Sequence, residues 1–206
     1  VIGDTCKFWI QAQEKINKDN TLRFFKTHNA FGKLNNNDFT NSKNSIGCLY
    51  VVRDPRNVIT SLKNHYELDD YKALKWMTNE KQFIYDVEKV KETGFSDFAF
   101  ISSWSMNYKS WKIQKKIPLK FIKYEKLSDQ TYVVFKEIIE FIKKNSGISR
   151  KKIKQITEFL ENINDWLPTG NNITQSVKDE TNAKFVEFIR NAIYTISKVI
   201  PNIILN

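Results

Sequence analysis

Apolar positions along the chain fall into two kinds of pattern. Leu22–Phe25, Cys48–Val52 and Leu119–Ile122 are short, nearly continuous apolar runs. They carry β-branched or aromatic residues and no helical repeat, which predicts strands. Their continuity predicts strands covered on both faces, as in a parallel sheet. The remaining apolar positions recur at three- and four-residue spacing and predict helices. These span Asp4–Ile16, Pro55–Leu68, Trp76–Lys91, Ser103–Ile113, Ser128–Lys144, Ser149–Ile163 and Lys178–Ile200, with Pro201 stopping the last. The Pro55 helix has the clearest start. Asp54 can cap it, Pro55 suits its first position, and Val58, Ile59, Leu62 and Tyr66 share a face. In the Ser128–Lys144 helix the apolar stripe is Phe135, Ile138, Ile139 and Ile142. Asn29–Ser45 and Leu167–Gln175 are polar and predict loops. Strands alternating with helices predict α/β architecture with right-handed crossovers.

Composition narrows the class. With 206 residues, 41% of them hydrophobic, the chain can build one core, so residues 1–206 are expected to form a single domain. Gly and Pro are scarce, which argues against a disordered chain or a repeat array, and there is no internal period. Net charge is +10. That suits a polyanionic partner such as nucleic acid, an anionic membrane or a nucleotide with several phosphates. A solvated Lys-rich surface explains it equally well, since the lysines are dispersed. No nucleic-acid recognition motif is present, so nucleic acid is not an expected partner. Cys6 and Cys48 have no metal-ligand spacing, no metal cluster is apparent, and Cys48 is expected to be a buried thiol. No disulfide framework, membrane span or signal peptide is apparent, and the expected location is cytoplasmic. Because the first residue is Val, the sequence is expected to be a fragment or a processed chain.

In a parallel α/β sheet, ligands gather where strands end at their carboxyl edge. The residues just after each predicted strand are therefore informative: Lys26-Thr27-His28, Arg53-Asp54-Pro55-Arg56, and Lys123-Tyr124-Glu125. At Arg53 a strand tip meets a capped helix start. The free N–H groups of a helix start attract anions, and a guanidinium offers a forked donor set for phosphate. Ser61, four residues after Asn57, can line the same side. The competing reading pairs Arg53 with Asp54 or another carboxylate. His28 could equally be a surface or structural residue. His65 fits helix packing, Trp104 and Trp111 fit the core, Tyr124 fits either core or site, and Glu125 fits an ordered loop.

These segments resemble the cytosolic-type sulfotransferase family. Tyr50-Val51-Val52-Arg53-Asp54-Pro55-Arg56-Asn57-Val58 is similar to its 3′-phosphate motif, in which a Ser stands eight residues after the Arg, as Ser61 does here. Arg23-Phe24-Phe25-Lys26-Thr27-His28 resembles the strand ending in Lys-Thr-His. Ser103-Trp104 to Trp111 resembles the Ser-Trp…Trp segment, and Lys123-Tyr124-Glu125-Lys126-Leu127 the strand end Tyr-Glu-x-Leu. The four stand in the family's order, and the resemblance is strongest over residues 22–144, with 145–206 weakly matched. It implies a three-layer α/β fold with a central parallel sheet flanked by helices, shared with P-loop kinases. It also implies a donor, 3′-phosphoadenosine 5′-phosphosulfate, and a small-molecule or glycan acceptor bearing a hydroxyl or amine. In that scheme His28 is the general base and Lys26 contacts the sulfuryl group. Arg53 and Ser61 hold the 3′-phosphate, Tyr124 lies near the adenine, and no metal is needed.

The resemblance has gaps. The family's first strand and its loop, Pro-Lys-Ser/Thr-Gly-Thr-Thr, have no counterpart in this sequence. Its late Arg-Lys-Gly element is also absent, although Leu167-Pro168-Thr169-Gly170-Asn171-Asn172 occupies a comparable place. The gaps leave two expectations. Either the parent protein is an active sulfotransferase of which this chain is a part, or the chain is a non-catalytic, degenerate nucleotide-binding or interaction module.

Overall fold

The computed structural model describes residues 2–19, 24–94, 96, 98–147 and 203–205. Its organising element is a four-stranded parallel sheet. The strands are β1 (Phe24–Lys26), β4 (Cys48–Val52), β7 (Leu119–Lys123) and β8 (Ile203–Leu205), in the order β1-β8-β4-β7. β4 and β7 run in register from Cys48↔Leu119 to Val52↔Lys123. On its other side β4 meets β8 at Leu49↔Leu205, and β8 meets β1 at Lys26↔Leu205. A strand from late in the sequence therefore joins β1 to the rest of the sheet. Between β1 and β4 lies a small hairpin, β2 (Lys33–Leu34) and β3 (Asn37–Asp38).

Helices cover both faces, as the apolar strands predict. Successive strand residues point to opposite sides. Leu49 and Ile122 pack with Val134, Ile138 and Ile142 of the helix Thr131–Ser146. Cys48, Tyr50 and Phe121 pack with Trp111 of the helix Trp104–Ile113. Leu49 and Trp111 are each only 1% exposed, so each face has its own closed core. Burying one such side chain contributes about 1.5–3 kcal/mol. Gly47 lets β4 start beneath the first of these helices: a Cβ there would stand 3.0 Å from the Phe141 ring. Lys120 and Lys126 both bond Glu137, tying that helix to β7 and drawing the Glu137 carboxyl down to about 2.

In chain order the helices are α1 (Trp9–Ile16), α2 (Pro55–Tyr66), α3 (Asp70–Thr78), α4 (Val87–Thr93), α5 (Trp104–Ile113), α6 (Tyr124–Asp129) and α7 (Thr131–Ser146). Several depart from their predicted bounds. Ile2–Phe8 is a 3-10 helix, and α1 begins only at Trp9. The predicted helix Trp76–Lys91 is α3, a strand β5 (Phe83–Tyr85) and α4. Asp69 caps α3 by accepting from the Lys72 N–H, and Asp86 caps α4 by accepting from the Lys89 N–H. Between them Phe83-Ile84-Tyr85 pairs antiparallel with β6 (Phe98–Phe100). The predicted Ser128 start divides into α6, which begins directly at Tyr124, and α7. In the predicted Asn29–Ser45 loop, Asn35 and Asn36 turn the β2–β3 hairpin with φ of 48° and 63°. Asn tolerates that left-handed region, and two such residues in a row suit a tight hairpin. The predicted helices Ser149–Ile163 and Lys178–Ile200, and the predicted loop Leu167–Gln175, lie outside the described residues. No helix among the described residues is long and apolar enough to cross a membrane.

Candidate functional site at the carboxyl edge of the sheet

Because β1, β4 and β7 are parallel, their carboxyl ends share one edge. That edge receives Lys26 and His28 from β1, Arg53 from β4, and Tyr124 from the β7–α6 junction. Ser61 is exposed on α2, the helix that starts beside Arg53.

At Arg53, sequence, geometry and charge combine. Asp54 accepts from the Arg56 N–H at 2.8 Å and so caps α2. The same carboxylate takes the Arg56 guanidinium, with Nε donating to Oδ1 at 3.0 Å. These bonds hold the Asp54 carboxyl down to about 2. Asp54 thus serves Arg56, not Arg53. Arg53 has no carboxylate partner among the described residues. Its Cζ lies 4.5 Å from the centroid of the Tyr124 ring, a cation–π stack. Its Nε is buried and has no hydrogen-bond partner. A buried N–H left unpaired costs about 1–3 kcal/mol, and more when charged. Tyr124 is half-buried and holds the guanidinium plane in place. Glu125 reaches back from α6 to accept weakly from the Asp54 N–H at 3.4 Å. The carboxylate pairing that the sequence allows for Arg53 is therefore not made. The structure instead leaves a half-buried cation with an unpaired N–H beside a capped helix start.

His28 lies beyond β1 in an irregular turn. The residue is open to solvent on one side, yet its ring is desolvated enough to lower its pKa from 6.5. Burial is the larger cause and the positive charge of Lys26 the smaller. The imidazole is therefore neutral at physiological pH and able to accept a proton. Lys26 is exposed at the strand tip. The His28 carbonyl accepts from Asn107 Nδ2 at 3.2 Å.

Other sequence candidates fall outside this arrangement. His65 is exposed on α2 and sits edge-on to Tyr66, with ring centroids 4.6 Å apart. Trp111 is core. Trp104 stacks on Tyr108 at 5.9 Å, one turn along the same helix. Cys6 and Cys48 are both buried thiols. Among the described residues, no three His, Cys, Asp or Glu side chains come together as a metal site would require. Sequence reasoning missed Asn107 and Tyr50. Tyr50 O–H donates to Asn107 Oδ1 at 2.9 Å, and burial raises the Tyr50 pKa well above 10. Their only signal was position: Asn107 lies in the Ser103–Trp111 segment and Tyr50 in β4.

A family model described as "Sulfotransferase domain" matches residues 6–192, most of the chain. No curated protein matches it.

Proposed function

The chain belongs to the sulfotransferase-domain family, and we propose that it takes its sulfuryl group from 3′-phosphoadenosine 5′-phosphosulfate for a hydroxyl or amine acceptor. One observation carries this reading: the buried, unpartnered Nε of Arg53, stacked on Tyr124 beside the start of α2. An orphaned cationic donor in that position fits a phosphate. Arg53 would hold the 3′-phosphate, with Ser61 contributing its exposed hydroxyl. Tyr124 would fix the guanidinium and border the nucleotide. When bound, the donor supplies an activated sulfuryl group.

The remaining roles belong to side chains at the same edge. His28, kept neutral by burial and by Lys26, would accept the acceptor's proton at its imidazole nitrogen. Lys26 would place positive charge where negative charge develops on the sulfuryl oxygens. The acceptor would be a small molecule or glycan, and two buried thiols suit a reducing, cytoplasmic location.

A second reading keeps only the nucleotide corner at Arg53 and Tyr124. On it, the chain is a nucleotide-binding or interaction module without transfer activity. Labelled-sulfate transfer by the full-length gene product separates the two. The catalytic reading expects turnover that falls at least about a hundredfold in His28→Ala, a usual size for a lost general base. Inactivity across a broad panel of phenols, alcohols, amines and glycans would remove it.

A further inference from the structure

His28 stands in a segment, residues 27–32, that belongs to neither helix nor strand. Backbone polar groups in such a segment must find partners elsewhere. Three come from one face of α5. Asn107 Nδ2 donates to the His28 carbonyl at 3.2 Å, Trp111 Nε1 donates to the Asn29 carbonyl at 2.9 Å, and Ser110 Oγ accepts from the Phe31 N–H at 2.9 Å. Positions 107, 110 and 111 are spaced i, i+3 and i+4, which places all three on one side of a helix. β6 adds two bonds: the Ala30 N–H donates to the Phe100 carbonyl, and Asn29 Oδ1 accepts from the Phe100 N–H, each at 2.8 Å.

Asn107 differs from the other two members of the clamp because it also makes a side-chain hydrogen bond to β4. Its Nδ2 donates to the His28 carbonyl and, at 2.8 Å, to the Ile101 carbonyl. Its Oδ1 accepts from the Tyr50 hydroxyl, three residues before Arg53. One side chain thus ties the His28 turn to the strand that leads into Arg53. Leucine or aspartate could not replace it: the first offers no bond, and the second would set a carboxylate against two carbonyls.

We propose that Asn107, held by Tyr50, is a positioning residue that sets His28 relative to the Arg53 end of the sheet. The proposal rests on the reading of His28 as general base. It predicts a split between turnover and nucleotide binding. In the full-length protein, Asn107→Ala lowers kcat about tenfold to a hundredfold, the scale on which small misplacements act. Affinity for 3′,5′-bisphosphoadenosine stays within about twofold, since the Asn107 side chain spends its hydrogen bonds on His28, Ile101 and Tyr50. Tyr50→Phe lowers kcat less, and in the same sense. In a His28→Ala background, Asn107→Ala costs nothing further, because it acts through that side chain.

A second readout needs no turnover. The chain has two histidines, so the imidazole signals of His28 and His65 can be followed together by NMR. Asn107→Ala moves the His28 titration up toward 6.5 as the turn loosens, with Lys26 the charge that faces it, and leaves His65 unchanged. Wild-type kcat in Asn107→Ala, equal losses of kcat and nucleotide affinity, or an unmoved His28 titration would each overturn the proposal. Full activity in His28→Ala would instead remove the general-base reading, while the NMR result would still report on Asn107.

Discussion

The Arg53 corner and the His28 turn lie on one sheet edge but are built in opposite ways. The α2 start at the Arg53 corner is local, while Tyr124 and Glu125 join the corner from 71 positions further on. A strand, a capping Asp, a Pro and a helix succeed one another within a few residues, and Asp54 bonds Arg56 two positions on. The His28 turn is not local. Its partners Asn107, Ser110 and Trp111 stand 79 to 82 positions away in the sequence. The difference implies that the capped start of α2 tolerates the undocking of α5, whereas the turn depends on α5 being docked.

The contrast breaks most visibly at Trp111. The side chain is 1% exposed and donates to the Asn29 carbonyl. Trp111→Ala is expected to cost about 3–5 kcal/mol of stability, the range for emptying a core Trp site, measured by denaturant unfolding. The same substitution should raise amide exchange at residues 29–31 more than at residues 56–58. Equal exchange at both places would mean that the two regions share one support.

A smaller effect should appear in the pH profile. A general base must be neutral, so activity is lost as pH falls through its folded pKa. Burial and Lys26 put that pKa below 6.5, and the acid limb of kcat/KM is expected below 6.5 as well. Lys26→Met removes the lesser cause, so the limb should shift up part of the way toward 6.5. An acid limb already at or above 6.5 in the wild type would show that the ring is not desolvated in solution.

The same contrast explains what could be read from the sequence. β4 was legible to the residue, because Cys48–Val52 is a bounded apolar run with Asp54 and Pro55 just beyond it. The α5 start was legible because Ser103 caps it, accepting from the Met106 N–H. Trp76–Lys91 misled because apolar spacing alone resembles a helix; the caps at Asp69 and Asp86 and the pairing of Phe83–Tyr85 with Phe98–Phe100 override it. Arg53, Lys26, His28 and Tyr124 were identifiable as strand-end residues. That Asp54 serves Arg56 was not, since either arginine could have taken it. Asn107 was invisible because its bonds to Tyr50 and His28 depend on how α5 docks, and nothing near it in sequence records that.

The central claim is that the unpaired Arg53 guanidinium takes the donor's 3′-phosphate. The most direct measurement is a calorimetric comparison of 3′,5′-bisphosphoadenosine with 5′-adenosine monophosphate, which lacks the 3′-phosphate, on wild type and Arg53→Ala. Charge-assisted bonds of about 1.5–3 kcal/mol predict that wild type prefers the bisphosphate at least about tenfold. Arg53→Ala should abolish that preference and leave the monophosphate affinity nearly unchanged. A wild type that binds both alike, or an Arg53→Ala variant that keeps the preference, would contradict the account.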